Sequence, residues 1–394
     1  MKDAYEISFL KEFACQGGKC ELTCCKNWII TVDDEALNEI KKEPLLKRML
    51  YSLRIGKRSD GISYIKKING RCPYLNRDNL CAHQCEGKMN LMPKICRVYP
   101  RRVMEICADT ECRTEVTLEL SCIEAANCFL NNLGPIQMIK SDENYEIMWS
   151  RKNDSDEFLR FLLDYRKVLS EDIWNSTDIF SMMKKHVYAT LEIQDHLMKD
   201  FKVGGDAWVD TRAVFDKHQE KTLGFVIPLS ILNEVIYNCF DDKDQKKRNP
   251  IFQKLRETYD SLLGHDREDV AERKIISYLL SKEYSNNALK KYFTYYEYCC
   301  YETVLETHED YYLVGKVLFS VFYTELLMVF DYVSNMARNE GELAKELKRQ
   351  NYSFESQVLS SVERAFRHSD KMKSVILEKI RANFLAYIFD SDML

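Results

Sequence analysis

The residues best equipped for chemistry are crowded near the start of the chain. The stretch "FACQGGKCELTCCKNW", residues 13–28, carries Cys15, Cys20, Cys24 and Cys25. Of 15 cysteines, twelve lie between Cys15 and Cys128, and only Cys239, Cys299 and Cys300 follow. A residue used merely as a small core hydrophobe would be spread evenly, so the crowding points to metal. Soft thiolates at close spacing suit zinc or an iron–sulfur cluster. The spacing is C-x₄-C-x₃-C-C, then Cys72, Cys81, Cys96 and Cys122, unlike the paired cysteines of common structural zinc sites. If residues 20–25 form a helical turn, Cys20 and Cys24 share one face, while Cys25 points about 100° away from Cys24. That geometry argues against giving all four thiols to one metal.

What positions these thiols can be read from composition and pattern. The chain has 394 residues, 45% apolar and 30% charged, enough for two domains and a sizeable core. Its net charge of −5 is spread without large blocks, which excludes a nucleic-acid footprint. The opening "MKDAYEISFLKEF" has no apolar signal core. The most apolar run, "YYLVGKVLFSVFYTELLMVFDYV", is cut by Lys316 and Glu325, short of the ~18 uninterrupted apolar residues that span a membrane. The expectation is a cytoplasmic protein that binds no membrane. Disulfides are rare in that compartment, which strengthens the metal reading.

Residues 1–130 hold turn-rich tracts such as "GRCPYLNRDNLC" and "ICRVYPRR". Within them, "DDEALNEIKKEPLLKRMLYSLR" reads as a helix capped by Asp33 or Asp34, and "EVTLEL" as a short strand. "SCIEAANCFLNN" reads as a helix with Ser121 as N-cap and Glu124 closing a capping box. Residues 131–154 read as a polar linker. From about Ser155 amphipathic helical patterns dominate: one places Phe158, Phe161, Leu162 and Tyr165 on one face, and another ends at Gly204-Gly205. Further helices are expected over 220–240, 249–262, 267–305, 309–339 and 352–390. The fold class is mainly α: an N-terminal cysteine-rich metal-binding domain with short strands and loops (1–130), then an all-α helical domain (155–394).

The ordered blocks "FACQGGKCELTCCKNW", "GRCPYLNRDNLC", "CRVYPR" and "LSCIEAA" resemble the flagellin lysine-N-methylase family. The first block is also similar to small zinc- or iron-chelating cysteine-cluster proteins. "YYLVGKVLFSVFY" and "SSVERAFRHSDKM" look like the family's helical half. The resemblance implies methyl transfer from S-adenosylmethionine to flagellin lysines, with an iron–sulfur cluster, here [4Fe–4S], as cofactor. It implies Cys15, Cys20, Cys24, Cys25, Cys72, Cys81, Cys96 and Cys122 as metal cysteines. A [4Fe–4S] cluster needs only four thiolates, and Cys20, Cys24, Cys72 and Cys96 are the favoured set. Cys85, Cys107, Cys112 and Cys128 have no counterpart in the pattern and read as buried small hydrophobes. Asn27 stands where the family usually has Gly, and Ile123 where it has Pro; neither change removes a thiol.

Such a reaction makes further demands. Lysine must be neutral to attack, which a desolvated aromatic channel with a nearby carboxylate or phenol would favour. The segment "KKYFTYYEYCCYETVLETHEDYY" fits, with Tyr298, Tyr301 and Glu302 on one helical stripe as candidate catalytic residues. The same stripe would serve equally as core packing, and His308 and His368 read as capping or core residues. Arg97 or Arg101 could pair with the donor's carboxylate, or simply brace a basic turn. The C-x₃-C-x₂-C arrangement of radical enzymes is absent, with Asn27 and Lys88 at the positions where its third cysteine would fall. No G-x-G follows a strand, so a donor site would lie outside the ordinary α/β architecture. Two other readings remain: a non-enzymatic zinc-binding interaction module, and a metal storage or delivery protein.

Overall fold

The computed structural model describes residues 2–20, 22–26, 29–110, 112–152, 155–203, 209–219, 221–222, 224–241, 249–281, 286–337, 343, 352–367 and 370–380. Asn27, Gly204, Gly205 and His368, and the side chain of His308, fall outside them. The protein is mainly α, with one small mixed sheet.

The amino-terminal part runs β1 (Lys2–Ile7), α1 (Asp34–Lys42), α2 (Leu45–Arg54), β2 (Ile55–Lys57), β3 (Ser63–Ile65), α3 (Ala82–Cys85) and α4 (Lys94–Val98). It continues with β4 (Arg101–Cys107), β5 (Cys112–Leu118), α5 (Ile123–Asn131), β6 (Met138–Ser141) and β7 (Trp149–Lys152). Asp33 caps α1 by accepting the Ala36 N–H at 3.0 Å. The single helix expected over 33–54 is two, because Pro44 can continue neither the hydrogen-bond ladder nor the preceding turn. The cap of α5 falls on Cys122 rather than Ser121, whose hydroxyl is held 2.9 Å from that of Tyr99.

Five strands form one sheet in the order β6-β1-β5-β4-β7. β1 runs parallel to β5 and β7 parallel to β4, while β4–β5 and β1–β6 are antiparallel. The polar stretch 131–154 thus supplies both edge strands. Its polar sequence is what an edge strand with a solvated side presents, so composition alone could not separate it from a linker.

The remainder is helical: α6 (Asp156–Asn175), α7 (Ile179–Val203), α8 (Thr211–Lys217), α9 (Leu229–Asp241), α10 (Pro250–Leu262), α11 (Glu268–Leu279) and α12 (Asn286–Val304). After these come α13 (Thr307–Asp310), α14 (Leu313–Met336), α15 (Phe354–Phe366) and α16 (Asp370–Lys379). Ser155, Asp210, Asn249 and Ser353 each cap their helix through a side-chain oxygen. α14 is long and apolar enough to cross a membrane, but nearly all of it is buried inside the protein. It is the central core helix. Its Glu325 accepts the N–H groups of Val226 and Ile227, and Lys316 pairs with Asp310 at 2.8 Å.

One large core unites sheet and helices, running from Ile7 and Val116 through Phe129 to Tyr295 and Phe330. A small separate core lies beneath the cysteine-rich loops: Ile30, Val32, Ala36, Ile65, Cys72 and Tyr74, flanked by Cys25, Ile95 and Cys96.

Candidate functional site: a thiol lobe and a buried acidic network

Four thiols from four separate stretches lie beside or near the small core, close enough to sense one another's charge. Cys25 follows a turn, and its carbonyl accepts the Cys72 N–H at 3.0 Å. Cys81 is bridged to Leu75 and caps α3, and Cys96 sits in α4. Burial raises Cys72 to about 11, with repulsion from Cys25 and Cys81 adding to it. Burial, then Cys25, Cys72 and Cys81, raises Cys96 well above the ordinary thiol value. Cys81 is raised by burial and also faces Cys25 and Cys85. Each of Cys25, Cys72, Cys81 and Cys96 therefore lies near enough to the other three for charge to be felt. Among the described residues, no three His, Cys, Asp or Glu side chains already converge as a formed metal site. The donor set fits a soft cation by its chemistry: four mutually repelling sulfurs, with Lys67 as the neighbouring positive charge.

A second group adjoins the first. The adjacent Cys24 and Cys25 thiols interact, which with burial raises Cys24, and Cys24 also feels Cys96 and Cys122. Burial pushes Cys122 up to about 11, opposed by the Ala125 and Glu124 N–H groups at the start of α5, while Cys20 repels it. Cys20 in turn faces the exposed Cys15. The loop that carries them is not the helical turn expected: Gly17–Lys19 is a single 3-10 turn and Cys20 is extended. Gly17 has φ +56°, and a Cβ on Gly18 would come 2.2 Å from the Asp78 carbonyl oxygen. Glycines there let the Cys15–Cys20 loop lie against the Cys72–Cys81 loop. Of the favoured set, Cys72 and Cys96 stay together and Cys20 lies with Cys15 and Cys122, while Cys24 stands between the groups, beside Cys25 and within reach of both Cys96 and Cys122.

The remaining cysteines divide. Cys128 is buried as expected, but Cys85 is exposed. Cys107 and Cys112, read as buried hydrophobes in a chain without disulfides, are bonded to each other across the end of the β4–β5 pair. Register brings them directly opposite, which spacing in sequence does not reveal.

The candidate catalytic stripe lies between α12 and the sheet. Tyr298 donates to the Leu118 carbonyl and accepts the Leu118 N–H at 3.2 Å, fully buried. Glu302, 2% exposed, accepts from Thr117 at 2.7 Å and from Arg367. Tyr301 is half-buried beneath the Arg166 guanidinium, 4.5 Å from its ring centre. Tyr298 thus does the packing work the stripe also suggested. Glu302 belongs to a buried acidic network that sequence reading did not assemble. Arg367, just past α15, pairs with both Glu302 and Glu363, and Arg102 pairs with Glu306 at 2.6 Å. Burial raises Glu363, although Arg367 opposes the shift and Tyr295 donates to it. Its second carboxylate oxygen is buried without a hydrogen-bond partner among the described residues. The sequence signal was the trio of charges Glu363, Arg364 and Arg367 interleaved with Val362, Ala365 and Phe366.

Helix α15 ties the two regions together. Arg364 donates to the carbonyls of Ser121 and Leu22, each at 2.7 Å, clamping the cysteine loop to the start of α5. One turn on, Arg367 reaches the acidic network. Of the arginines expected to hold the donor, Arg97 is engaged by Glu146 through Nε at 3.0 and 3.1 Å and by the Met92 carbonyl at 2.7 Å. Arg101 has no carboxylate partner among the described residues and lies over Phe13 at 5.5 Å.

Together the fold and site define a mainly helical protein whose thiol-rich lobe abuts a buried acid–arginine network. Over 143 residues the chain is 28% identical to the flagellar biosynthetic protein FliU of Salmonella muenchen, covering 32% of this chain and 76% of that protein. It is 28% and 30% identical over 143 residues to the lysine-N-methylases of Salmonella typhimurium and Salmonella choleraesuis, covering 32% of this chain and of each methylase. The match spans about a third of those two relatives. The expected resemblance to the lysine-N-methylase family is thereby borne out. No family model matches the chain, and no solved structure matches it.

Proposed function

We propose that the chain is a protein-lysine N-methyltransferase that uses S-adenosylmethionine and acts on a flagellin-like protein, with Cys25, Cys72, Cys81 and Cys96 holding an iron–sulfur cluster. The observation that supports this reading is that those four thiols, from four stretches of chain, lie close enough to feel one another's charge beside a lobe core of only six residues. A core so small contributes little by apolar burial, and metal cross-linking is the usual way such a lobe is held. The names borne by the relatives supply the reaction. An iron–sulfur cluster, when bound, supplies iron able to coordinate the donor's amino and carboxylate groups.

The chain's own residues would do the rest. Arg101 is the cation left to meet the donor carboxylate. Lysine titrates near 10.4, so removing its proton at pH 7 costs about 4.6 kcal/mol. Burial beside Tyr295, Tyr298 and Tyr323 disfavours the ammonium, and the carboxylates of Glu302, Glu306 and Glu363 are the available proton acceptors. Glu363 has a raised carboxyl and, beside the oxygen held by Tyr295 and Arg367, a second oxygen with no hydrogen-bond partner among the described residues, so it is better matched to lysine than Glu302, both of whose oxygens Thr117 and Arg367 engage.

Four thiolates around a small core would also suit structural zinc in a non-catalytic interaction module. Anaerobic purification with metal analysis separates the two readings. Incubation with methyl-labelled donor and flagellin then tests the reaction: label on lysine is expected. A colourless, zinc-loaded protein that transfers no label would refute it.

A further inference from the structure

Helix α2 turns its apolar side outward. Leu45, Leu46, Met49, Leu50 and Leu53 are 65%, 72%, 58%, 47% and 72% exposed, and no residue of the helix is buried. Its inward side is held by Tyr51, whose ring lies 5.7 Å from Tyr74 and 5.6 Å from His83, and by Arg54 over Tyr74 at 5.1 Å. A helix of this length is marginal without packing. Contiguous apolar exposure on one side of it marks an interaction surface.

The stripe has shape as well as polarity. Leu45, Met49 and Leu53 recur one turn apart and, with Ile40 of α1, line a cavity of about 570 Å³ between the two helices. Lys41, Arg48 and Ser52 complete the lining, and no carboxylate is part of it. Lys41 bonds Asn38 at 2.9 Å and Arg48 the Lys41 carbonyl at 3.4 Å. Their neighbours Lys42 and Lys47 are neutralised by Glu39 and Glu43. Among the described residues, the cations facing the groove have no carboxylate of their own. A flat lipid surface would meet the tips of Leu46 and Leu53 but leave the cavity empty.

We propose that this groove docks an amphipathic helix of a protein partner, whose apolar ridge seats against Met49 and Leu53 and whose flanking Asp or Glu residues meet Lys41 and Arg48. The inference goes beyond methyl transfer and needs neither donor nor iron, so it stands or falls separately.

The test uses the full chain and a fluorescent helical peptide with leucines at i, i+3, i+4 and i+7 and glutamates on both flanks, read by anisotropy. The acidic peptide should bind, and more weakly as salt rises. Met49→Glu with Leu53→Glu should weaken it by about tenfold to a hundredfold, from lost apolar burial. Lys41→Glu with Arg48→Glu should reject the acidic peptide and accept its lysine counterpart. Because these side chains are not buried, all variants should unfold at the parent midpoint. Equal binding of both peptides would overturn the proposal. So would binding of phosphatidylglycerol vesicles but neither peptide, or self-association lost in the Met49→Glu, Leu53→Glu variant.

Discussion

Arg367 is the cation on which the buried acidic network turns, so its removal should be felt first in stability. It pairs with Glu302 and Glu363, which are 2% and 1% exposed. Arg367→Leu would leave both carboxylates in the interior without the cation they share. Breaking a buried pair from one side typically costs about 3–5 kcal/mol, because the remaining charge is desolvated and uncompensated. Arg102 also acts on Glu302, which puts the expectation at the lower end, about 3 kcal/mol. The loss should shrink at low pH, where protonation removes the uncompensated charge, so it should be larger at pH 8 than at pH 5. Urea unfolding of the parent, Arg367→Leu, Glu302→Leu and the double variant gives the cycle. The double variant should recover at least about 1 kcal/mol of the summed single losses, as charge pairs replaced whole by apolar groups do. A single-variant loss below about 1 kcal/mol, or strict additivity, would refute the network as described.

Glu297 carries a second pH signature. Burial raises it to about 7, against Ser170, the Ile136 N–H and Trp174, which bond its carboxylate. A raised carboxyl stabilises fully below its unfolded value near 4.5, and that stability is lost as pH climbs through about 7. Glu297→Gln should therefore gain on the parent by about 3 kcal/mol between pH 4.5 and 8, and an unchanged gap would contradict this. Arg101→Ala should raise KM for the donor severalfold with the unfolding midpoint unchanged, whereas Arg97→Ala, which breaks the Glu146 contact, should lower the midpoint instead. Chelating the metal should expose the loops around Cys72 and Cys81 to protease while sparing α12 and α14, because the lobe's own core is small. Simultaneous cleavage throughout would argue for one cooperative unit.

Much of the helical half was legible because its period is local. The helix starts near Ser155 and residue 249 and the stop near residue 262 match the expected bounds, and the structure adds the caps at Ser155 and Asn249. The sheet was less legible. β1 pairs with β5 more than a hundred residues away, and β6 and β7 are polar edges. The Cys107–Cys112 bond depends on strand register, which composition cannot supply. The thiol lobe shows both outcomes. Its eight cysteines were named from spacing and resemblance. Their sorting into Cys25, Cys72, Cys81 and Cys96 beside Cys15, Cys20 and Cys122, with Cys24 between, required the bridges Lys26–Arg71 and Leu75–Cys81. The acidic network was hard to assemble for the same reason: Thr117 comes from a strand, Glu302 from α12 and Arg367 from just past α15.

The central claim concerns which sulfurs hold the iron. The most direct measurement is the iron content and near-400 nm absorption of anaerobically purified serine variants at each of the eight cysteines. Loss of iron and colour on substituting Cys25, Cys72, Cys81 or Cys96, with both retained on substituting Cys15, Cys20 or Cys122, is the predicted result. Iron that survives all four of the first substitutions, or that vanishes only with the second group, would contradict it.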